Sequence, residues 1–302
     1  MCGIVGLFLK KPELRPQLGA HLQTMLVGMT DRGPDSAGIA VYHRPVEANQ
    51  CKLTTFHANP DYPWRKLGGQ LAEALNAEVD VEIKANHAVI TVGAAEGSAR
   101  AWITRSHPEV RIMGYGQLME VYKDMGLPAD VARRYSLEGM EGSHAIGHTR
   151  MATESAVTTE HSHPFTAAPD MCLVHNGSLS NHNNLRKWLR RRGLEFETDN
   201  DSEVAARYFA YRLGEGATLA EALEAGLRDL DGFYTFTMGT RDGFAVLRDG
   251  IACKPAVLAE TDDWVAMASE FRSLANLPGV EKANIWEPEP AVVYTWSLQE
   301  AA

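Results

Sequence analysis

Hydrophobic and polar residues follow one another along this chain in patterns that predict both strands and helices. Short apolar runs that end at charged or turn-forming residues predict strands at 3–9, 38–42, 88–92, 145–148, 171–175, 233–238, 244–247, 256–258, 265–268 and 291–296. Apolar residues three or four positions apart predict helices at 18–29, 118–125, 183–192, 202–213 and 219–230. Strands at both ends with helices between them favour an α+β protein of packed sheets covered by helices over a regular βαβ series.

The composition is that of a globular protein that can bury a large core. Of the 302 residues, 45% are hydrophobic and 23% are charged, and no linker, internal repeat or low-complexity run marks a domain boundary. The net charge of -10 argues against a general polyanion-binding protein. A basic cluster at 186–192 falls on a predicted helix; we interpret it as a solvated face or a docking patch, with nucleic acid as the minor alternative.

Cysteine spacing and hydropathy limit the cofactors and the compartment. The four cysteines are far apart and lack the spacing of a zinc or iron–sulfur site, so we expect no metal and no cofactor on this chain. There is no apolar run long enough for a membrane span, and the N-terminus lacks the pattern of a signal peptide. A reducing cytoplasm, without membrane contact, is the expected location.

Cys2 is the first candidate for chemistry, although a cysteine at this position is incidental in most proteins. Removal of Met1 leaves a thiol and a free α-amine on one residue, and an α-amine has a pKa of about 7.7 to 8.0. The amine can take the thiol proton directly or through a water, as in enzymes with an N-terminal threonine nucleophile. The thiolate then attacks an amide carbonyl, forms a thioester and releases an amine, without a separate catalytic histidine.

Further motifs give Cys2 a context. They are Cys2–Gly6, Arg32–Gly38, His148–Thr153, His163–Phe165, His175–Gly177 and Asp201–Glu203. In this order they resemble the glutamine site of class II glutamine amidotransferases, which are N-terminal nucleophile hydrolases. The resemblance implies a four-layer αββα sandwich of two antiparallel sheets, formed by one domain over residues 2–302. The segment at about 45–140 is longer than expected for the simplest members and is predicted to be a family-specific insertion.

The resemblance also implies roles for individual residues. Cys2 is the nucleophile, and Asn176 with the Gly177 backbone N–H stabilises the oxyanion. A free glutamine zwitterion needs a cation for its carboxylate and an anion for its ammonium; these are Arg150 and Asp201. Thr153 and Arg32 are further substrate-binding residues in this interpretation.

Two of these assignments have structural alternatives. Asn200 to Glu203 has the form of a capping box, in which Asn200 caps a helix and Glu203 reaches back to it, so Asp201 has a structural role as an alternative. A strand-to-helix turn is the alternative for Asn176 and Gly177. A metal site at His161 and His163 is the minor hypothesis, because no cysteine pair or zinc-binding helix accompanies them.

The matching strings extend into the last third through Asp249-Gly250, Lys254-Pro255 and Ala268-Ser269-Glu270. Two residues depart from the family pattern. Glu154 follows the His148–Thr153 string where Gly or His is frequent, which puts strict preference for unsubstituted glutamine in doubt, and Lys254 replaces the usual arginine.

The chain contains no nucleotide-binding loop or sugar-isomerase-like domain that would make it a complete synthase. We therefore expect a hetero-oligomer in which a partner subunit holds the acceptor site. The resemblance is to amidotransferase subunits of glutamate synthase and N-methylglutamate synthase, which implies FMN and iron–sulfur clusters on partner chains and release of ammonia or methylamine here. The alternatives are a catalytically silent subunit of such a complex and a hydrolase of another amide.

Overall fold

The computed structural model describes residues 2–151 and 158–298, which form three antiparallel sheets and the helices that cover them. The strands are β1 (Gly3–Leu9), β2 (Ser36–Tyr42), β3 (Cys51–Phe56), β4 (Val79–Lys84), β5 (His87–Val92), β6 (Arg111–Gly116), β7 (Met119–Met125), β8 (His144–Arg150), β9 (Phe165–Ala168), β10 (Met171–Leu179), β11 (Gly232–Thr240), β12 (Gly243–Arg248), β13 (Val257–Glu260), β14 (Trp264–Ala268), β15 (Asn284–Trp286) and β16 (Val293–Ser297). The α-helices are α1 (Leu18–Val27), α2 (Trp64–Leu75), α3 (Glu96–Ser106), α4 (Pro128–Arg134), α5 (His182–Arg190), α6 (Asp201–Gly214) and α7 (Leu219–Asp229). None of the helices in the described ranges is long and apolar enough to cross a membrane.

The first sheet places the N-terminal strand in its centre. Its strand order is β15-β13-β14-β1-β8-β2-β7, and β1 pairs antiparallel with both β14 and β8. Every residue of β1 is buried, in agreement with its continuous apolar sequence. The residue that precedes β1 is therefore held in place by two neighbouring strands.

The second sheet, of order β16-β12-β11-β10-β9, stacks on the first. The core between the two sheets includes Ile4, Phe8, Val174, Phe244 and Met267. Helices α1 and α4 cover the outer face of the first sheet, and α5, α6 and α7 cover the outer face of the second. A Cβ atom on Gly6 would lie 2.4 Å from the Phe244 ring, so glycine is required where the sheets approach. The four-layer αββα sandwich is confirmed.

A third sheet lies within the segment that was predicted to be an insertion. Its order is β4-β5-β3-β6, and helices α2 and α3 pack on it around a separate hydrophobic core. The remainder of 45–140 belongs to the main sandwich, because β7 pairs with β2 and α4 covers the first sheet. A buried ion pair of 3.0 Å between Lys52 Nζ on β3 and Glu120 Oε1 on β7 joins the two parts.

The sequence prediction of a helix at 118–125 is wrong, because these residues form β7 at the edge of the first sheet. Glu120 and Lys123 have the spacing of a polar helix face, but both side chains are buried in the strand. Glu120 accepts a hydrogen bond from Tyr122 at 2.6 Å and pairs with Lys52. These polar side chains are thus satisfied by buried partners, an ion pair for Glu120 and backbone carbonyl oxygens for Lys123.

Candidate active site

Cys2 lies at the start of β1, and three side chains from distant segments fix the backbone around it. Arg32 Nε donates to the Cys2 carbonyl oxygen at 2.9 Å, and Arg32 Nη1 pairs with Glu270 Oε1 at 2.8 Å. Ile4, the second residue of β1, is held by Ser269, whose Oγ accepts a hydrogen bond from the Ile4 N–H at 2.9 Å. Arg32 is buried, and through these contacts it supports the backbone of Cys2.

A cleft of about 600 Å³ opens beside Cys2. Its lining residues are Cys2, Arg150, Met151, His161, His163, His175, Asn176, Gly177, Ser178, His182, Asp199, Asn200, Asp201, Ser202 and Lys254. Cys2 and Arg150 come from the first sheet, Asn176 and Gly177 come from the second, and Asp201 begins α6. The structure therefore brings these five predicted site residues together in one cleft.

Asn176 and Gly177 lie on β10, opposite the strand β11. The Asn176 side chain is buried, and its Nδ2 has no hydrogen-bond partner among the residues that the structure describes. Gly177 has a φ of +149°, and a Cβ atom there would lie 2.0 Å from the Phe233 carbonyl oxygen, so only glycine fits. A buried amide donor and an adjacent open backbone thus face the cleft.

Asp201 is the first residue of α6, and its carboxylate is oriented by local hydrogen bonds. Oδ2 accepts from the Leu179 N–H at 2.9 Å, and Oδ1 accepts from Ser202 Oγ at 3.3 Å. The same Ser202 Oγ lies 2.8 Å from His175 Nδ1. The side chain of Asp201 remains 21% exposed, which leaves part of the carboxylate open to a ligand in the cleft.

The predicted capping box is correct in one half only. Asn200 Oδ1 accepts from the Ser202 N–H at 2.9 Å, which confirms Asn200 as the N-cap. Glu203 does not reach back to Asn200; its carboxylate accepts from the Glu197 and Thr198 N–H groups at 2.9 and 2.8 Å. Glu203 therefore fixes the chain two to three residues before the cap.

The interpretation of 186–192 as a solvated face is wrong for Arg186, which is buried. Arg186 Nη1 donates to the Thr198 carbonyl oxygen at 2.6 Å, and Nη2 donates to the Asn200 carbonyl oxygen at 3.1 Å. The guanidinium thus holds the loop that delivers Asp201 to the cleft. The remaining basic residues of this segment are exposed, and Arg192 stacks 3.6 Å over the Trp188 ring.

Arg150 is the last residue of β8, and it pairs with Ser36, the first residue of β2. Its Nη1 donates to the His161 carbonyl oxygen at 3.3 Å. Lys254 is a second cation of the cleft, and its Nζ lies 5.0 Å from the centroid of the Phe233 ring. The sequence analysis placed Lys254 in a string that matches the family and noted that it replaces the usual arginine. Since lysine and arginine are both cations, the positive charge at this position is retained.

Lys123 is a support that the sequence analysis missed. Its Nζ is buried and donates to the carbonyl oxygens of Glu160, Ser162 and Pro164, at 3.3, 2.8 and 3.2 Å. Burial lowers the pKa of Lys123 to about 8. These three hydrogen bonds hold the segment that contains His161 and His163, which line the cleft. A lysine between the apolar residues of 118–125 was the available signal.

Three buried histidines lie close together, and two of them, His163 and His175, line the cleft. The rings of His148 and His163 stack with centroids 4.0 Å apart, and His175 lies 6.4 Å from His163. Burial lowers the pKa of His148 to about 3, and it lowers the pKa of His163 and of His175 as well. Among the described residues, no group of three or more His, Cys, Asp or Glu side chains is arranged to hold a metal ion. These histidines are neutral packing groups.

The His163→Phe variant tests this role through the pH dependence of stability. Below a pH of about 6.5 the unfolded chain protonates these histidines and the folded chain does not, so stability falls by about 1 kcal/mol per histidine and pH unit. Neither ring nitrogen of His163 has a hydrogen-bond partner among the described residues, so phenylalanine removes no hydrogen bond. Between about pH 7.5 and 5.5, we expect the free energy of unfolding, measured by thermal unfolding, to fall less for the variant than for the wild type. An equal loss would contradict the neutral state of His163.

Of the other predicted site residues, the structure describes Arg32 only. Arg32 contacts the Cys2 backbone and Glu270, and it is not part of the cleft lining. Thr153 lies outside the described residues, as does Glu154. Their predicted roles stay predictions.

Comparisons with known proteins show the family to which the chain belongs. The model of a family described as a glutamine amidotransferase domain matches residues 148–276. The chain is 56% identical over 303 residues to the glutamine amidotransferase-like protein GlxB of Rhizobium meliloti (strain 1021), with all of both chains covered. The chain therefore belongs to the glutamine amidotransferases, in class II.

Solved structures show the same fold. A structure of the allosteric regulatory enzyme of purine biosynthesis matches 99% of this chain with a TM-score of 0.65 and 20% identity. The glutamine phosphoribosylpyrophosphate amidotransferase from B. subtilis matches 98% of it with a TM-score of 0.61 and 20% identity. The chain spans about half of each of those proteins, 47% and 49%. The fold is that of the N-terminal nucleophile hydrolases.

Proposed function

We propose that this amidotransferase releases ammonia from glutamine with Cys2 as the nucleophile and passes it to a synthase subunit. The observation that carries the proposal is the convergence of Cys2, Arg150, Asn176 and Asp201 on one cleft, although they are distant in sequence. Cleavage of Met1 supplies the free α-amine that the chemistry requires.

The reaction has two additions to the same carbonyl carbon: the thiolate of Cys2 adds first, and water adds to the resulting thioester second. The α-amine accepts the Cys2 thiol proton, and the thiolate attacks the glutamine amide carbon to form a tetrahedral oxyanion. Asn176 Nδ2 and the Gly177 N–H donate to that oxyanion. Collapse breaks the C–N bond, the α-ammonium returns its proton to the departing ammonia, and a thioester remains. Water then attacks the thioester, and the products are glutamate and the free thiol.

Substrate selection follows from the charges at the cleft. Arg150 binds the α-carboxylate of glutamine, and the open oxygen of Asp201 binds the α-ammonium. An arginine grips a carboxylate through two parallel hydrogen bonds, which fixes its direction as well as its charge. Lys254 adds a second positive charge near this carboxylate. Thr153 remains a further substrate-binding candidate.

The acceptor site belongs to a partner of glutamate synthase or N-methylglutamate synthase type. Such a partner carries FMN and iron–sulfur clusters and aminates a 2-oxo acid with the amine released here. An N-methylated glutamine entering the same cleft yields methylamine in place of ammonia. This part of the proposal is supported by the resemblance of the chain's motifs to amidotransferase subunits of those complexes.

A tagged chain purified from its native cells tests the partner. We expect a yellow complex whose flavin absorbance co-elutes with the chain, and release of ammonia from glutamine or of methylamine from N-methylglutamine. The released amine and glutamate are measured in equal amounts by chromatography. A preparation that contains the chain alone, without flavin, would overturn the synthase partner.

The second candidate function is a silent subunit that keeps the fold without turnover. It is favoured if the mature chain retains Met1, because acylation of the Cys2 nitrogen removes the base. The intact mass of the native protein distinguishes the two, since loss of Met1 is required only for catalysis.

A further inference from the structure

A second cavity, of about 710 Å³, lies between the third sheet and the main sandwich. Four arginines line it: Arg100 and Arg105 on α3, Arg111 on β6 and Arg207 on α6. We call it the arginine cavity. Two glutamates, Glu195 and Glu197, also line it. Its positive excess is unusual in a chain whose net charge is -10, and no step of glutamine hydrolysis uses it.

Arg207 is the least exposed of these cations, and it forms two long ion pairs. Its side chain is only 17% exposed, and its Nη2 lies 3.6 Å from Glu203 and 3.9 Å from Glu197, beyond hydrogen-bond distance. Its Nε is buried without a hydrogen-bond partner in the ranges that the structure describes. A buried guanidinium with unmade hydrogen bonds is costly unless a ligand completes them.

The other arginines differ in how far they are already paired. Arg100 donates to Glu96 at 2.8 Å and stacks 3.7 Å over the Tyr115 ring, so it forms a fixed wall. Arg105 and Arg111 are exposed, and neither has an ion pair within the described part of the chain. The guanidiniums of Arg105 and Arg111 are therefore available to an occupant of the cavity, and that of Arg207 is held only by its long ion pairs with Glu203 and Glu197.

We propose that the arginine cavity binds a small organic phosphate. A planar guanidinium group can donate two parallel hydrogen bonds to a pair of phosphate oxygens. Several guanidinium groups suit the double negative charge of a phosphate monoester better than the single charge of a carboxylate. The apolar part of the ligand packs on Phe196, Ile112 and Val110, which line the same cavity. The volume is sufficient for a molecule of nucleotide size.

One continuous segment connects this cavity with the glutamine cleft. Residues 195–197 line the arginine cavity, and residues 199–202 line the cleft. Glu203 holds the segment through the Glu197 and Thr198 N–H groups, and it is also the nearest carboxylate to Arg207. A phosphate that draws Arg207 away from Glu203 changes the support of Asp201. The ligand therefore alters glutamine affinity, a consequence that rests on the proposed role of Asp201.

Calorimetric titration of the full chain with AMP, inorganic pyrophosphate and adenosine tests the site. We expect saturable binding of AMP and pyrophosphate and none of adenosine. The double variant Arg105→Gln, Arg111→Gln removes two exposed cations and should weaken binding at least about tenfold, as expected for charged hydrogen bonds. Arg133→Gln, on the exposed surface of α4, is the matched control and should bind as the wild type does.

Absence of saturable binding by both phosphate probes would overturn the site, as would equal affinity of the double variant and the Arg133→Gln control. The coupling is measured separately in a Cys2→Ala variant, which cannot turn glutamine over. AMP affinity that changes with saturating glutamine supports the coupling, because linkage between two sites is reciprocal. Unchanged AMP affinity would overturn the coupling, and this outcome is independent of whether the chain hydrolyses glutamine.

Discussion

Replacement of Cys2 by alanine is expected to lower glutamine hydrolysis by at least about a thousandfold, because a covalent mechanism has no substitute for its nucleophile. The fold should be retained, since the side chain is partly exposed and the Arg32 contact uses the backbone carbonyl. Glutamine affinity should change little, because Arg150 and Asp201 are untouched. Ammonia release by the purified variant gives the rate, and a binding titration gives the affinity.

Cys253→Ala is the matched control, because Cys253 is an exposed free cysteine that is not itself part of the cleft lining, although the next residue, Lys254, is. We expect wild-type hydrolysis from this variant. Intact mass spectrometry of both proteins should show that Met1 is absent, so that the comparison concerns the thiol alone. Hydrolysis by Cys2→Ala at a rate near that of the control would refute the assignment of the nucleophile.

Asn176→Ala is expected to reduce kcat by about a hundredfold to a thousandfold, which is the usual effect of losing one oxyanion donor. KM should change far less, because the amide carbonyl acquires its full negative charge only in the transition state. The Nδ2 group is buried in the cleft without a partner among the described residues, so its hydrogen bond is available to the substrate. Steady-state kinetics with glutamine separate the two parameters.

Asn183→Ala provides the comparison, since Asn183 is an exposed asparagine on α5 outside the cleft lining. Its kcat and KM should equal those of the wild type. Circular dichroism melting confirms that Asn176→Ala remains folded at the assay temperature. A variant with unchanged kcat, or one in which only KM rises, would remove Asn176 from the oxyanion site.

The central strands were predictable because they are buried on both faces and their sequences are continuously apolar. β1 and β14 illustrate this, since every residue of each strand is buried. The segment at 118–125 was not predictable in the same way. Its polar residues are satisfied by partners distant in sequence, such as Lys52 for Glu120, and hydrophobic periodicity does not report such pairs.

The site was predictable at the level of motifs and less so at the level of their supports. Order along the chain was sufficient to suggest Cys2, Arg150, Asn176 and Asp201. The side chains that position them could not be identified, because Lys123 and Arg186 act on backbone carbonyl oxygens. Every residue has a backbone carbonyl oxygen, so residue type does not indicate which carbonyl accepts such a hydrogen bond. These contacts can be identified only from the structure.

The central position of β1 has a consequence for biosynthesis. β1 is translated before its partners: it lies between β8 and β14, and its backbone contacts extend to Ser269. Its strand pairing is therefore completed only after most of the chain has been translated. Met1 can be removed from the emerging end long before that, whereas the thiol acquires its substrate-binding surroundings late. Until then, Cys2 lacks the cleft in which we propose that it acts.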